Sequence, residues 1–229
     1  MLELQGKGCH NINLVTPTHF IPQILNALLW AIPRGLRIPL VYNTSGYEAV
    51  DVVQMLDGII DIYLPDLRYA SSETAKELSK TADYPIHAKK AIKEMYRQVG
   101  DLQLNKDGVA QKGLIVRHLI LPERLADSKE LLTWVAKELS PTVTVSIMSQ
   151  YYPAHLSSSF ASLKRRITAA EYQEVVEVVN DLGVENGWLQ ELEAAETYLP
   201  DFGRIEHPFE ANGERDVTEA VNLSPSLEE

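Results

Sequence analysis

The run Leu114-Ile115-Val116-Arg117-His118-Leu119-Ile120-Leu121 decides the fold class of this sequence. It is an almost unbroken series of aliphatic residues, many of them β-branched, and this composition predicts a strand. Apolar residues fill both alternating sets of positions, which is typical of a strand buried on both faces of a parallel sheet. Parallel strands need crossover connections, so the run predicts an α/β protein.

Further strands are predicted on both sides of this run, with helical spacing between them. The predicted strands are residues 11–16, 38–42, 58–64, 143–148 and 188–190. The clearest helical face is made of Ile21, Ile24, Leu25, Leu28, Leu29 and Ile32. A short helix is predicted over 47–56, Ser128 is predicted to cap another, and Thr168 with Glu171 forms a capping box. Repeated βαβ units predict a mostly parallel sheet, either doubly wound or closed as a partial barrel, with binding groups at the carboxyl ends of the strands.

The charge of the chain is concentrated near its carboxyl end. The net charge is −11 over 229 residues, and residues 191–229 hold two basic and eleven acidic side chains. We therefore predict a folded domain over 1–190 and an acidic, partly disordered extension over 191–229, packed through Trp188, Leu192, Tyr198 and Phe202. The acidic balance, without a basic stripe, argues against nucleic-acid binding.

The single cysteine, Cys9, excludes an internal disulfide and an all-cysteine metal site within these residues. No apolar run approaches the length of a membrane span, and no signal pattern is present at the start. The expectation is a cytoplasmic protein that does not bind membranes. Phosphate-loop, dinucleotide-binding and nucleophile-elbow motifs are absent, and the six histidines have no recognised metal-ligand spacing.

Polar residues follow the first three predicted strands. Thr16-Pro17-Thr18-His19 follows the first strand, and either threonine could instead cap the next helix. Asn43 and Ser45 follow the second strand, where a plain turn is the alternative. Asp66 and Arg68 follow the third strand, and they could bind a ligand with both an amine and a carboxylate or simply form an ion pair.

Two further positions come from later strands. Arg117 and His118 interrupt the apolar run, and a buried charge there requires a partner or a ligand, although a buried histidine is more often satisfied within the core. Gln150 lies in the polar loop after the fifth strand, which could also be an ordinary capped surface loop.

Several of these segments together resemble a known family. Residues 8–19 (GCHNINLVTPTH), 41–47 (VYNTSGY), 61–66 (DIYLPD) and 117–122 (RHLILP) are similar to radical S-adenosylmethionine proteins related to pyruvate formate-lyase activating enzyme. Residues 95–100 and 148–153 extend the resemblance, which covers residues 4–190. The order and spacing of the segments carry the assignment, because each segment is weak alone.

The resemblance implies a partial (β/α)6 barrel, a [4Fe–4S] cluster and S-adenosylmethionine, whose reductive cleavage releases a radical that abstracts hydrogen. In the activases the hydrogen comes from a glycine of a partner protein, so a glycyl-radical-type partner is implied as well. The resemblance places Thr16, Pro17, Thr18 and His19 at the methionine amine and Asn43 with Ser45 at the next polar motif. It makes Asp66 and Arg68 equivalents of an Asp-x-Lys pair, and it adds Arg117, His118 and Gln150 to the cofactor shell.

One departure from the family is large. The cluster is held by Cys-x-x-x-Cys-x-x-Cys after the first family strand, and one cysteine cannot replace three thiolates. We expect the chain to be a truncated copy that lacks the first βα unit and is inactive alone. The alternatives are a cluster-less relative that binds a nucleoside or a partner protein, and a remnant with an exposed edge strand and apolar surface.

Overall fold

The computed structural model describes residues 1–192 and 221–222, and it has an α/β fold with a mostly parallel sheet. The coarse fold prediction is therefore confirmed. The strands are β1 Ile12–Val15, β2 Leu40–Thr44, β3 Ile62–Pro65, β4 Gln103–Leu104, β5 Ala110–Leu119, β6 Thr144–Met148, β7 Gly187–Leu189 and β8 Val221–Asn222. The helices are α1 Leu2–Gly6, α2 Ile21–Ala31, α3 Val50–Met55, α4 Ser72–Ser79, α5 Tyr84–Val99, α6 Ser128–Glu138 and α7 Ala169–Asp181.

The chain divides into two compact units. The first comprises residues 1–67 and 83–116, and its strands lie in the order β1-β2-β3-β5 with all neighbours parallel. Strand β4 pairs antiparallel with β5 through the turn at residues 105–108, which the sequence predicts as a surface turn. The sequence pattern does not predict β4 itself, because this strand has only two residues and both are exposed.

The second unit comprises residues 68–82 and 117 onward. Its strands lie in the order β5-β6-β7-β8, where only the carboxyl end of β5 belongs to this unit. Strands β6 and β7 are parallel, and β8 is antiparallel to β7. Helix α7 begins with the predicted capping box, in which the Thr168 hydroxyl accepts from the Glu171 amide and the Glu171 carboxylate accepts from the Thr168 amide.

The two faces of the sheet differ in burial within each unit. In the first unit, Tyr42 and Tyr63 point to one face and are fully buried, whereas Asn43 and Leu64 point to the other and are half-buried. In the second unit His118 is buried and its neighbour Arg117 is half-buried. At these positions each sheet portion has one closed face and one more open face; Asn43 and Arg117 lie on the open face, whereas Thr44 and His118 lie on the closed one.

Helix α5 covers the closed face of the first unit. The Tyr63 hydroxyl donates to the Gln98 side-chain oxygen at 2.7 Å, and the Gln98 amide donates to the Val53 carbonyl oxygen at 2.8 Å. Burial is the main cause that raises the pKa of Tyr63 well above its usual range, so the hydroxyl keeps its proton and stays a donor. Gln98 thereby ties α5 to both β3 and α3.

Helix α2 is less buried than its spacing predicts. Ile21 and Leu28 are buried, but Leu29 is 75% exposed and Ile32 is 49% exposed, so the predicted apolar face is wrong at these two positions. Strand β1 pairs with β2 along one edge, and the structure describes no strand along its other edge. Val15 on this strand is 66% exposed.

Three predicted boundaries are also wrong. Strand β2 extends two residues beyond the predicted 38–42, so Asn43 and Thr44 belong to the strand. The helix predicted over 47–56 begins only at Val50. The N-cap of α6 is Asp127, and Ser128, the predicted cap, is the first residue of the helix.

Among residues 1–192 and 221–222, no helix combines the length and apolar character needed to cross a membrane. The predicted packing of Tyr198 and Phe202 and the predicted disorder beyond them concern residues outside those that the structure describes.

Candidate functional site

The carboxyl ends of β1, β2 and β3 are held together by backbone hydrogen bonds. The Thr16 amide donates to the Asn43 carbonyl oxygen at 2.8 Å, and the Asp66 amide donates to the Thr44 carbonyl oxygen at 2.9 Å. The polar residues that follow these strands therefore lie side by side at one edge, where parallel α/β sheets bind their ligands. The structure brings Thr16, Asn43 and Asp66 together as the sequence predicts.

Gly46 sets the path of the loop after β2. Its φ is +81°, and a Cβ at this position would lie 2.2 Å from the Asp66 carbonyl oxygen. The Tyr84 hydroxyl lies 2.9 Å from both the Ser45 and the Asp66 carbonyl oxygens and donates to them. This close approach ties the loop after β2 to the end of β3, so Ser45 and Asp66 are fixed relative to each other.

Asn43, Ser45 and Asp66 are polar residues at the carboxyl ends of β2 and β3. Asn43 pairs in register with Leu64 on the open face, and Ser45 and Asp66 directly follow the last residues of β2 and β3. All three residues are half-buried. The arrangement offers an amide, a hydroxyl and a carboxylate to a polar ligand, a set that suits donors such as amines and sugar hydroxyls.

The segment after β1 is a short 3₁₀ turn, Pro17–Phe20. Thr16 enters it with a left-handed φ of 49°, Pro17 is buried, and Thr18 and His19 are exposed. Thr16 makes no side-chain cap hydrogen bond, and neither does Phe20, the N-cap of α2. The side chains of Thr16 and Thr18 therefore do not cap a helix, which was the alternative to a binding role.

Thr18 instead contacts Glu48, a residue that the sequence pattern did not single out. The Thr18 hydroxyl donates to Glu48 Oε1 at 2.7 Å, and the Thr44 hydroxyl donates to the same oxygen. Glu48 is 2% exposed, and within the described part of the chain its second oxygen, Oε2, has no hydrogen-bond partner. A buried carboxylate surrounded by hydroxyls is uncommon and points to a role beyond packing.

Tyr42 lies against this carboxylate. Burial is the largest cause that raises the pKa of its hydroxyl far above the usual range, and the charge of Glu48 raises it further. The nearby Thr18 hydroxyl acts in the opposite direction. The Tyr42 hydroxyl therefore stays protonated.

The sequence does contain a signal for Glu48. Because a helix is predicted over 47–56, Glu48 is interpreted as an ordinary charged residue in the first turn of that helix. This early boundary is the reason that Glu48 is not singled out as a site residue. The run Asn43-Thr44-Ser45-Gly46 already signals a polar loop, and an acidic residue within such a loop beside a strand end is a candidate site residue.

The predicted pair Arg117 and His118 is divided by strand geometry. The two side chains point to opposite faces of β5, so they do not form one cluster. His118 is 1% exposed, and its Nε2 lies 2.8 Å from the Ser128 hydroxyl oxygen. Ser128 lines a cavity of about 220 Å³ whose apolar wall includes Ile120 and Val175.

Arg117 is half-buried on the open face of β5, and Arg68 is exposed. Gln150 is also half-buried, and its side-chain oxygen accepts from the Gln190 amide at 3.1 Å. Gln190 in turn accepts from the Ser149 backbone amide through its own side-chain oxygen, also at 3.1 Å. Gln150 is therefore held in place beside the end of β6.

The part of the chain that the structure describes contains no metal centre. Cys9 is exposed, and among the described residues there is no group of three histidine, cysteine, aspartate or glutamate side chains placed to bind a metal ion. The [4Fe–4S] cluster that the family resemblance implies requires three thiolates, and a single cysteine does not fit that requirement.

Comparison with known proteins gives a distant match. No family model matches the chain, and no solved structure matches it. The chain is 26% identical over 171 residues to "Uncharacterized protein MJ0674" of the archaeon Methanocaldococcus jannaschii. The match covers 73% of this chain and 45% of the relative, so the chain spans less than half of that protein's length.

Proposed function

We propose that the first unit binds S-adenosylmethionine, as part of a radical S-adenosylmethionine protein related to pyruvate formate-lyase activating enzyme. The observation that carries the proposal is the joined edge at the carboxyl ends of β1, β2 and β3. There Asn43, Ser45 and Asp66 are half-buried at the ends of β2 and β3, and Thr18, which follows β1, is exposed. These are the positions that the sequence resemblance assigns to the cofactor.

The chemistry of these donors and acceptors suits S-adenosylmethionine. Its methionyl ammonium, ribose hydroxyls and adenine amino group are hydrogen-bond donors, and Asn43, Asp66 and Thr18 can accept from them. Once bound, the cofactor supplies a sulfonium centre whose carbon–sulfur bond is cleaved in this family. The partial (β/α)6 barrel lacking its first βα unit belongs to the same proposal.

The proposal assigns no radical chemistry to these 229 residues alone. The thiolates that hold the cluster are absent from the sequence, so we propose that they come from an adjoining segment with three spaced cysteines. A glycyl-radical-type protein as the hydrogen donor is part of this proposal and rests on the resemblance.

Calorimetric titration with S-adenosylmethionine and S-adenosylhomocysteine tests the proposal. We expect saturable one-to-one binding, and Asp66→Asn should weaken it about tenfold, or about 1.4 kcal/mol. Asp107→Asn is the matched control, because Asp107 is an exposed carboxylate in the β4–β5 turn. Absence of binding to either ligand by the folded wild-type chain contradicts the proposal.

A second candidate is a cluster-less relative that binds a nucleoside or a partner protein without cleaving anything. The single exposed cysteine favours it. The intact mass of the protein from its native source separates the two. A mass of 25.7 kDa supports the cluster-less form, whereas a mass several kDa larger supports the adjoining cysteine segment.

A further inference from the structure

Strand β1 has one edge without a neighbouring strand. The Ile12 and Thr16 amides donate toward β2, to carbonyl oxygens at 2.9 and 2.8 Å. Backbone groups alternate in direction along a parallel strand, so the N–H and C=O groups of Asn13 and Val15 point away from β2. Both residues are exposed, and among residues 1–192 and 221–222 no strand pairs with them on that side. The edge therefore offers the N–H and C=O groups of both residues to a further strand.

Strand β1 also lacks the features that normally prevent pairing at a sheet edge. Such edges usually carry a charged residue, a proline or a bulge. Strand β1 has the sequence Ile-Asn-Leu-Val, and its register with β2 contains no bulge. An edge of this kind favours association with another strand.

The chain around this edge contains no charged residue. Residues 8–33 include no Asp, Glu, Lys or Arg, although these residue types make up 23% of the sequence. Charged residues are depleted at the centre of protein interfaces, because burying a charge without a partner is costly. Two copies of an uncharged surface do not repel each other, so a second copy of this chain is a partner that the surface fits.

The edge matches itself in one antiparallel register. A two-fold axis beside Leu14 places Asn13 of one copy opposite Val15 of the other, and the same pair recurs on the other side of the axis. Since both residues direct their N–H and C=O groups outward, the residues of each pair exchange hydrogen bonds in both directions. Leu14 then faces its own copy in a non-hydrogen-bonded pair, with the two Cα atoms about 4.5 Å apart.

The surface around the edge is apolar but small. Phe20, Leu29 and Trp30 in the same uncharged segment are 60%, 75% and 62% exposed, and Val15 is 66% exposed. At roughly 100 Å² for each side chain, they expose about 400 Å² of apolar surface. A stable complex buries about 800 Å² on each partner, so the paired strands and these side chains suit a weak dimer rather than an obligate one.

We propose that two copies of this chain associate through their β1 edges, as an antiparallel pair about a two-fold axis at Leu14. The inference goes beyond the proposed function, because no ligand takes part in it. A strand from an adjoining segment would occupy the same edge, so the proposed dimer is one of the 229-residue protein. We expect a dissociation constant in the micromolar range.

Analytical ultracentrifugation of the 229-residue protein without ligand, over a range of concentrations, tests the association. The mass should rise from 25.7 kDa toward twice that value and no further, because a two-fold pair leaves no free β1 edge. Val15→Lys adds a charge at an exposed position of the edge, and we expect it to raise the dissociation constant at least about tenfold. Ile86→Lys is the matched control, because Ile86 is 54% exposed on α5, and the dissociation constant should stay unchanged.

Cross-linking tests the register. In a Cys9→Ser background, Leu14→Cys brings two thiols together across the axis, at a Cα separation within the range of disulfides, so oxidation should give a covalent dimer. Val15→Cys should give far less, because the residue opposite it is Asn13. If Leu14→Cys does not fold, a mixture of Asn13→Cys and Val15→Cys chains replaces it, since both positions are exposed. The mixture should cross-link more than either chain alone.

The outcomes are distinct from those that test the proposed function. A concentration-dependent dimer that Val15→Lys weakens and the paired cysteines trap supports the inference. A wild-type chain that stays at 25.7 kDa up to about 100 µM, or a dimer that Val15→Lys does not weaken, overturns it. Growth beyond a dimer overturns the two-fold register. Because no ligand is present, failure of S-adenosylmethionine binding does not affect this result, and absence of a dimer does not affect the proposed function.

Discussion

The backbone conformation of Gly46 determines how the loop after β2 approaches the end of β3. Its positive φ is disfavoured for any residue with a Cβ, and the space beside it is filled by the Asp66 carbonyl group. The two constraints act together, because the φ brings the loop back toward β3 and the close approach requires that no side chain intervene. The loop after β2 depends on a residue that contributes no functional group of its own.

We expect Gly46→Ala to lower the free energy of unfolding by about 3 kcal/mol, from the left-handed backbone and the contact with Asp66 combined. Gly35→Ala is the matched control. Gly35 has a φ of +96°, and a Cβ added there would meet no atom within 4 Å, so only the backbone cost of about 1 kcal/mol applies. Urea denaturation followed by circular dichroism measures both. Equal losses would show that the approach to Asp66 is unimportant.

Individual site residues could be predicted only where their position in a strand was clear. Asn43 and Asp66 could be predicted because each directly follows an apolar run that signals a strand. Glu48 was missed because the loop continues to residue 49, and nothing local marks where that loop gives way to α3. Its burial depends on hydroxyls 30 and 4 residues away, and the more distant contact is set by the packing of parallel strands.

At the scale of elements, helix α7 shows how a sequence motif acquires further partners in the fold. The Glu171 carboxylate completes the capping box and also accepts from the Glu123 amide at 2.6 Å and from Arg165 at 2.8 and 2.9 Å. The Arg165 guanidinium is the largest cause that holds the pKa of Glu171 well below its usual range. The start of α7 is therefore stabilised by an ionised carboxylate.

The sign of the pH dependence follows from that lowered pKa. A carboxyl whose pKa is lower in the folded protein than in the unfolded chain stabilises the fold above the unfolded value, about 4.3, and this contribution is lost as pH falls toward the folded value. We expect Glu171→Gln to lower the free energy of unfolding by about 1–2 kcal/mol at pH 7. The difference from wild type should shrink steadily below about pH 4.

Urea midpoints measured from pH 7 down to pH 3 test this expectation. Glu174→Gln is the control, because Glu174 lies on the same helix as Glu171 and pairs with Arg124 of the 3₁₀ segment Pro122–Arg124, but its side chain is far more exposed than that of Glu171. Its effect should be small throughout, as is usual for surface ion pairs. A Glu171→Gln deficit that is as large at pH 3 as at pH 7 would mean that the ionised form is not what stabilises α7.

Whether a segment forms a strand or a helix could be predicted, because apolar periodicity is a local property of the sequence. Which face of an element is buried, and at which residue the element ends, could not be predicted from that periodicity. The run at residues 114–121 became the long strand β5, and the capping box at Thr168 is confirmed. The apolar spacing of α2 predicted that Leu29 and Ile32 would be buried, yet burial requires a partner surface, and spacing cannot show whether one is present. Strand alternation alone places Arg117 and His118 on opposite faces, but it cannot show which of the two is buried.

At the scale of the molecule, cysteine count separates cofactor binding from radical chemistry. A [4Fe–4S] cluster that leaves one iron open needs three protein thiolates, and this chain has only Cys9. Binding of S-adenosylmethionine depends on hydrogen bonds from other residues, so it does not need the cluster. The two properties should therefore be separable by experiment in the 229-residue protein.

Anaerobic reconstitution with iron and sulfide tests this separation. We expect the chain to acquire no stable [4Fe–4S] absorbance and to release no 5′-deoxyadenosine from S-adenosylmethionine under reducing conditions. Cys9→Ser is the control, and its iron content after desalting should equal that of the wild type, because one exposed thiolate binds iron weakly. Adding a separate cysteine-bearing peptide of the Cys-x-x-x-Cys-x-x-Cys type should not change affinity for S-adenosylhomocysteine. Cleavage of S-adenosylmethionine by the chain alone would contradict the inference that three thiolates are required. Binding without cleavage is the result that we expect from a chain with hydrogen-bonding side chains but only one cysteine.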